Sequence, residues 1–223
     1  MTHNWRRDKN SISGTKASPS VLASSMLASG ACCAVIAVKA RALGKTRLAT
    51  RLVPAERVAL IRMMLMRVIV ATRGAASVSS TVVVSAERDT IPFSIPVFAD
   101  RGAGLNEALT TARDSLRSRY IRWLVVLPAD LPQLRSIDVD SLVAGARACG
   151  VAIAPDETGA GTNALCLNVG LPYSFSFGPG SRVAHAAEAE RLGVAPRFVY
   201  RDGLAFDVDS PADLRRLWQE SQL

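Results

Sequence analysis

The chain has 223 residues, 49% of them hydrophobic, which is ample for one sizeable core and a single domain. Lys and Arg outnumber Asp and Glu by 27 to 19, and the formal charge of +8 admits nucleic acid, an anionic membrane surface or small phosphorylated substrates as partners. The basic residues are scattered and only 5% of the chain is aromatic, which argues against nucleic-acid binding by base stacking; no zinc-finger, P-loop or RNA-recognition signature occurs.

Near the N-terminus, Arg6, Arg7 and Lys9 precede the apolar stretch "VLASSMLASGACCAVIAV", which has something of a secretion signal, with "LASGAC" as a lipoprotein-like cleavage site before Cys32. Ser and Gly break the early part of that run, and its last eight residues fit a buried strand better. The expectation is therefore a cytoplasmic protein with a disordered extension over residues 1–30 and one domain over residues 31–223. Cys32, Cys33, Cys149 and Cys166 show no CxxC spacing and sit mostly in apolar runs, as reduced core thiols do.

"CCAVIAVKA" reads as a buried first strand, "PAERVALIRMMLMRVIVATR" as a helix opened by Pro54, and "TVVVSA" as a second strand. After the short extended "IPVFAD" come the amphipathic helix "GLNEALTTARDSLRSR" and the strand "IRWLVVLPAD", ending at Asp130. The helix "SIDVDSLVAGARA" leads to the strands "GVAIAPDETG" and "TNALCLNV" around a polar loop. "SRVAHAAEAERLG" is a helix, "PRFVYRDGLAFDVD" a further extended segment, and "SPADL" opens the last helix. There Ser210 is placed as N-cap, Pro211 as the first helical residue and Asp213 at the third position, facing the positive end of the helix dipole. Strands alternating with helices of this length imply an α/β fold, with a mostly parallel twisted sheet and helices on both faces.

In such sheets ligands bind beyond the carboxyl ends of the strands. That rim gathers Lys39, Gly44, Lys45, Thr46 and Arg47 after the first strand, Asp130 after "RWLVVL", Asp156, Thr162 and Asn163 around the polar loop, and Asp207 and Asp209 after "LAF". Cations for phosphate oxygens beside carboxylates for Mg²⁺ form the inventory of a nucleoside triphosphate site. Asp207 and Asp209 are two apart on an extended run and share a face, so a positive charge is expected beside them. Asp130, bracketed by Pro128 and Pro132, is either a rigid metal ligand or a turn-forming Asp. "FGPGS" opens a helix with two glycines and a hydroxyl, a start that binds phosphate or carboxylate, or else one capped simply by Ser181. His185, one turn on, reads as a packed helix residue, and Met63, Met64, Met66 and Cys166 read as core filler.

The ordered set "VKARALGKTRL", "GLNEAL", "LPADLP", "TNAL", "FGPGSRVAHAAEAERLG" and "FDVDSPADL" resembles the 2-phospho-L-lactate guanylyltransferases of coenzyme F420 biosynthesis, a family that includes phosphoenolpyruvate and 3-phosphoglycerate users. The similarity runs from about residue 34 to the C-terminus. It implies a Rossmann-like nucleotidyltransferase fold, with GTP as co-substrate and Mg²⁺ as the metal. By motif, Thr162, Gly178 and Ser181 would bind the phosphorylated acid, while Asp130, Asp207 and Asp209 would hold Mg²⁺. Lys39, Lys45 and Arg47 would face the triphosphate and, with Asp130, carry catalysis; Gly44, Gly104 and Asn106 would contact the nucleotide. The first loop departs from the family in having Gly44 as its sole glycine.

The implied partners are GTP and a phosphorylated three-carbon acid, with neither nucleic acid nor membrane. A homodimer through the apolar helix around residues 58–71 and transfer of the product to the next coenzyme F420 enzyme complete the expectation. The acid's phosphate is already an anion near neutral pH, so the chemistry needs no general base, which fits a chain with only two histidines. The rival readings are a nucleotidyltransferase acting on a sugar phosphate or a molybdenum cofactor, and a GTP-binding module without turnover.

Overall fold

The computed structural model describes residues 30–38, 45–87, 91, 95–100, 104–117 and 119–220. Lys39, Gly44 and the expected extension before residue 30 lie outside the described residues. Unbroken apolar runs become strands: β1 (Ala31–Val38), β2 (Ser80–Ser85), the short β3 (Val97–Ala99), β4 (Ile121–Pro128), β5 (Val151–Pro155), β6 (Thr162–Asn168) and the two-residue β7 (Arg197–Phe198). Between and after them come α1 (Pro54–Gly74), α2 (Leu105–Arg117), α3 (Ser136–Cys149), α4 (Ser181–Arg191), the single turn α5 (Asp202–Ala205) and α6 (Pro211–Glu220).

The strands form one sheet in the order β3-β2-β1-β4-β6-β5-β7. β6 alone runs antiparallel to its neighbours β4 and β5. The remaining pairs are parallel, as the alternating pattern requires. Reversing β6 has a consequence for function: its first residues, Thr162 and Asn163, emerge at the same edge as the carboxyl ends of β4 and β5.

Successive strand residues serve opposite cores. Cys32, Ala34 and Ile36 of β1 pack with Trp123, Val125 and Leu127 of β4 beneath α1 and α3. Cys33, Val35, Leu124 and Val126 pack on the other face beneath α2 and α4. The four cysteines are free; Cys32, Cys33 and Cys166 are buried, as expected of core thiols. Among the described residues no helix is long and apolar enough to cross a membrane.

A third, smaller cluster lies outside the sheet. Leu48 and Leu52, in and after the 3-10 turn Thr46–Thr50, meet Leu60 and Met64 of α1, together with Phe206, Val208, Leu214 and Leu217. Phe206 and Val208 alternate inward, which turns Asp207 and Asp209 the other way. The α6 cap is as the sequence indicates: Asp213 Oδ2 accepts the N–H of Asp209 at 3.0 Å and of Ser210 at 2.7 Å.

One segment differs from its sequence reading. Residues 196–209 are not continuously extended, because α5 interrupts them. The cause is tertiary: Arg201 Nε donates at 2.9 Å to Asp138, a fully buried carboxylate of α3, and winds the following residues into a turn. A side chain at Gly203 would run into that carboxylate and into the Gln133 carbonyl, so the close approach requires glycine.

Candidate active site

β1 and β4 are adjacent, and the chain leaves them in opposite directions along the sheet, from β1 to β2 and from β4 to β5. This is a topological switch point, where a crevice opens beyond the strand ends. A cavity of about 610 Å³ occupies it, lined by Val38 of β1, Pro128 and Asp130 at the end of β4, Thr162 and Asn163 of β6, and by Asp207 and Asp209. Lys45, Arg47, Gly178 and Ser181 complete the set of proposed site residues that face it.

The charged end is organised by Lys45. Its backbone lies in the left-handed region with φ 56, a conformation unfavourable for a side chain other than glycine and held here at the start of the 3-10 turn. Its Nζ donates to Asp130 Oδ2 at 2.5 Å and to Asp209 Oδ1 at 2.7 Å. The Lys45 side chain is 8% exposed. Burial opposes its charge, but the Asp130 and Asp209 carboxylates outweigh that penalty and raise its pKa above the usual lysine value. The positive charge expected beside the acidic pair is therefore this lysine.

Asp207 is left outside that bridge. Its Oδ1 accepts from Asn163 Nδ2 at 3.3 Å, and the same amide group donates to the Ala205 carbonyl at 2.8 Å, so Asn163 aims the carboxylate. Burial, followed by the like charges of Asp130 and Asp209, pushes Asp207 up to about 6. Asp130, Asp207 and Asp209 each offer an oxygen, and the three oxygens lie within 4.8 Å of one another. Hard oxygen donors at this spacing, with a negative charge that one lysine does not cover, fit a divalent cation such as Mg²⁺. Asp156 instead folds the β5–β6 loop, accepting from Thr158 Oγ1 at 2.9 Å and from the Ala160 N–H at 3.1 Å.

The opposite end is built from "FGPGS" and β6. Gly180, in the left-handed region with φ 71, is the N-cap of α4, so Ser181 is its first helical residue and not its cap. Two first-turn amides are already used: Ser181 N–H donates to the Gly178 carbonyl at 3.1 Å and Arg182 N–H to the Ala160 carbonyl at 3.3 Å. The donors that remain for a ligand include the Thr162 and Ser181 hydroxyls, both of which line the cavity. Thr162 N–H donates to Ser181 Oγ at 2.8 Å, coupling strand to helix.

Gly104 is exposed, with φ 97, and does not line the cavity. Asn106 exchanges two hydrogen bonds with the Phe177 backbone, donating Nδ2–H to its carbonyl at 3.2 Å and accepting its N–H at 2.9 Å. It thus holds the "FGPGS" loop. Asn163 behind Asp207 and His185 behind Thr162 were visible in the sequence only as members of motifs, because the contacts that define their roles span 44 and 23 residues.

A doubly covered sheet whose switch-point crevice joins basic groups to a carboxylate triad is the layout of a nucleotidyltransferase. A Desulfovibrio desulfuricans G20 structure assigned as a nucleotide-diphospho-sugar transferase superposes with a TM-score of 0.72 at 14% identity, covering 86% of this chain and 88% of that one. CMP:2-keto-3-deoxy-manno-octonic acid synthetase, solved with CTP, gives 0.54 at 16% identity over 85% and 99%. The family profile "Guanylyl transferase CofC like" matches residues 32–220. Phosphoenolpyruvate guanylyltransferases from Sphaerobacter thermophilus and Rubrobacter xylanophilus are 36% and 41% identical, each over 82% of this chain and over 91% and 92% of their own lengths. The 2-phospho-L-lactate guanylyltransferase of Methanothermobacter thermautotrophicus is 33% identical, over 82% of either chain. This chain belongs to the CofC-like guanylyl transferase family, and it is a nucleotidyltransferase.

Proposed function

We propose that the protein transfers GMP from GTP to the phosphate of a three-carbon acid, releasing pyrophosphate, as a step of coenzyme F420 biosynthesis in the cytoplasm. The observation that carries this reading is a single cavity with two unlike ends, a Lys45–carboxylate cluster at one and paired hydroxyls at the other. The relatives point to the same substrates, since two act on phosphoenolpyruvate and one on 2-phospho-L-lactate.

A phosphate oxygen of the acid attacks the α-phosphorus of GTP, a new P–O bond forms, and the bond to the β-phosphate oxygen breaks with its electron pair leaving on pyrophosphate. No proton need be removed from the nucleophile, so the residues act by positioning and charge. Thr162 and Ser181 donate hydrogen bonds to the anionic acid, and the Gly178 backbone lets it approach. Arg47 and Lys45 line the cavity and meet the phosphates. Asp130, Asp207 and Asp209 would hold Mg²⁺, which would supply charge neutralisation for the triphosphate. Asn106 fixes the loop at the acid end, and Lys39 and Gly44, which follow β1 in the sequence, are assigned to the triphosphate by motif.

The test is pyrophosphate release with GTP and Mg²⁺ against phosphoenolpyruvate, 2-phospho-L-lactate and 3-phospho-D-glycerate in parallel, with mass detection of the GMP-capped acid. Turnover with one acid is expected; GTP binding without turnover on any of them would overturn the reading. Lys45→Met is expected to lower kcat by about a hundredfold or more, the usual consequence of deleting one aimed charge from a closed site. Asp130→Asn and Asp209→Asn are expected to raise the Mg²⁺ requirement, and an unchanged requirement in both would remove the carboxylates from the metal.

A further inference from the structure

At the acid end, a buried histidine stands behind the cavity wall in a hydrogen-bonded chain whose direction is fixed by the backbone. The Ser176 N–H donates to His185 Nε2 at 3.0 Å. An amide can only donate, so Nε2 presents a lone pair, and the single proton of a neutral imidazole must sit on Nδ1. Nδ1 lies 3.0 Å from Thr162 Oγ1. The Thr162 oxygen therefore accepts from the ring, and its own proton is left to point elsewhere. Burial pushes the His185 pKa down to about 4, so the ring stays neutral near physiological pH.

We propose that His185 is a positioning residue which, as its Nδ1–H tautomer, commits the Thr162 hydroxyl to donate into the cavity toward the anionic group of the phosphorylated acid. The inference rests on the reading that Thr162 contacts that acid. Ser181 is constrained in the same sense, because its Oγ already accepts the Thr162 N–H and its proton is likewise directed onward. Two neighbouring hydroxyls set as donors match a ligand group made only of acceptors, a phosphate or carboxylate, and leave a ligand O–H at that place without a partner.

The surroundings hold the ring in this orientation. Phe177 meets the His185 ring edge-on, with centroids 4.6 Å apart, and the Tyr173 hydroxyl donates to the His185 carbonyl at 2.6 Å. The ring is fully buried. It therefore touches neither substrate and acts through Thr162.

The tautomer can be read directly on the unmodified protein. His3 and His185 are the chain's only histidines, so long-range ¹H–¹⁵N correlations assign them readily. A protonated Nδ1 with an unprotonated Nε2 at His185 is expected; the opposite tautomer overturns the proposal. Kinetics supply the second readout. Thr162→Val is expected to raise KM for phosphoenolpyruvate about tenfold or more, the loss of one hydrogen bond to a charged group, with KM for GTP unchanged. His185→Leu is expected to do the same, yet to add less than about twofold in the Thr162→Val background, because it acts through that hydroxyl. His185→Asn, whose amide N–H replaces the donor, is expected to recover most of the affinity. Full additivity of the two changes, or no recovery by Asn, overturns the role of His185 alone. An unchanged phosphoenolpyruvate KM in Thr162→Val, with GTP affinity lost instead, overturns the placement of the acid beneath it.

Discussion

Asp207 is the residue whose surroundings most change its chemistry. Its carboxyl is moved from the usual 3.8 to about 6, first by burial and then by Asp130 and Asp209, against the opposing pull of Asn163 and Lys45. A cation and a proton compete for that oxygen, so metal affinity must fall as the pH drops through about 6. Calorimetric titration with Mg²⁺ should show weakening by about tenfold per pH unit below that point, and Asp207→Asn should bind weakly and lose this pH dependence. Equal Mg²⁺ affinity at about pH 5 and about pH 7 would disprove it. In the absence of metal the sign for stability follows from the same shift: as pH rises from 3.8 to about 6, the unfolded chain releases the proton that the folded protein keeps, and stability falls. At this scale the sequence was informative about which groups gather, since "FDVD" required a nearby cation, and Lys45 supplies it from 164 residues away. It placed Asn163 on the rim and read His185 as a packed helix residue, as both are, but not what either one orients, because an amide or imidazole acquires its role from the particular atoms that packing brings against it.

At the scale of elements, α2 governs the acid end through two grips on the 173–177 segment. Asn106 clamps Phe177 at the first turn, and Arg113 donates to the Tyr173 carbonyl. Asn106→Ala removes both bonds to Phe177 and is expected to raise KM for the acid by about fivefold to tenfold through a looser loop, with KM for GTP little changed. A rise confined to GTP would return Asn106 to the nucleotide contact that its motif implies. The same scale shows what periodicity can and cannot carry. Long elements such as α1 and β4 were legible because their apolar repeats and Pro54 mark period and start together. The α5 turn was not, since four residues carry no period and Arg201 folds them by pairing with a carboxylate 63 residues earlier. The reversal of β6 was equally hidden, because a strand buried on both faces reads the same in either direction.

For the molecule as a whole, the sheet provides the switch point, but the third hydrophobic cluster decides whether the metal ligands converge there. Asp130 rides on β4, whereas Lys45 and the 207–209 pair hang on segments whose inward anchors are Leu48, Phe206, Val208, Leu214 and Leu217. These anchors lie apart from the two sheet cores, so this corner can loosen while the sheet stays intact. Leu214 is 1% exposed, and Leu214→Ala should cost about 2–5 kcal/mol in that cluster by transfer and cavity terms. The expected result is faster amide exchange around residues 45–52 and 206–217, together with a raised Mg²⁺ requirement, while β1 and β4 keep their protection. Uniformly accelerated exchange across the sheet would instead make the cluster part of one cooperative core. Retained exchange protection at 206–217 with normal metal affinity would show that the carboxylates converge without it.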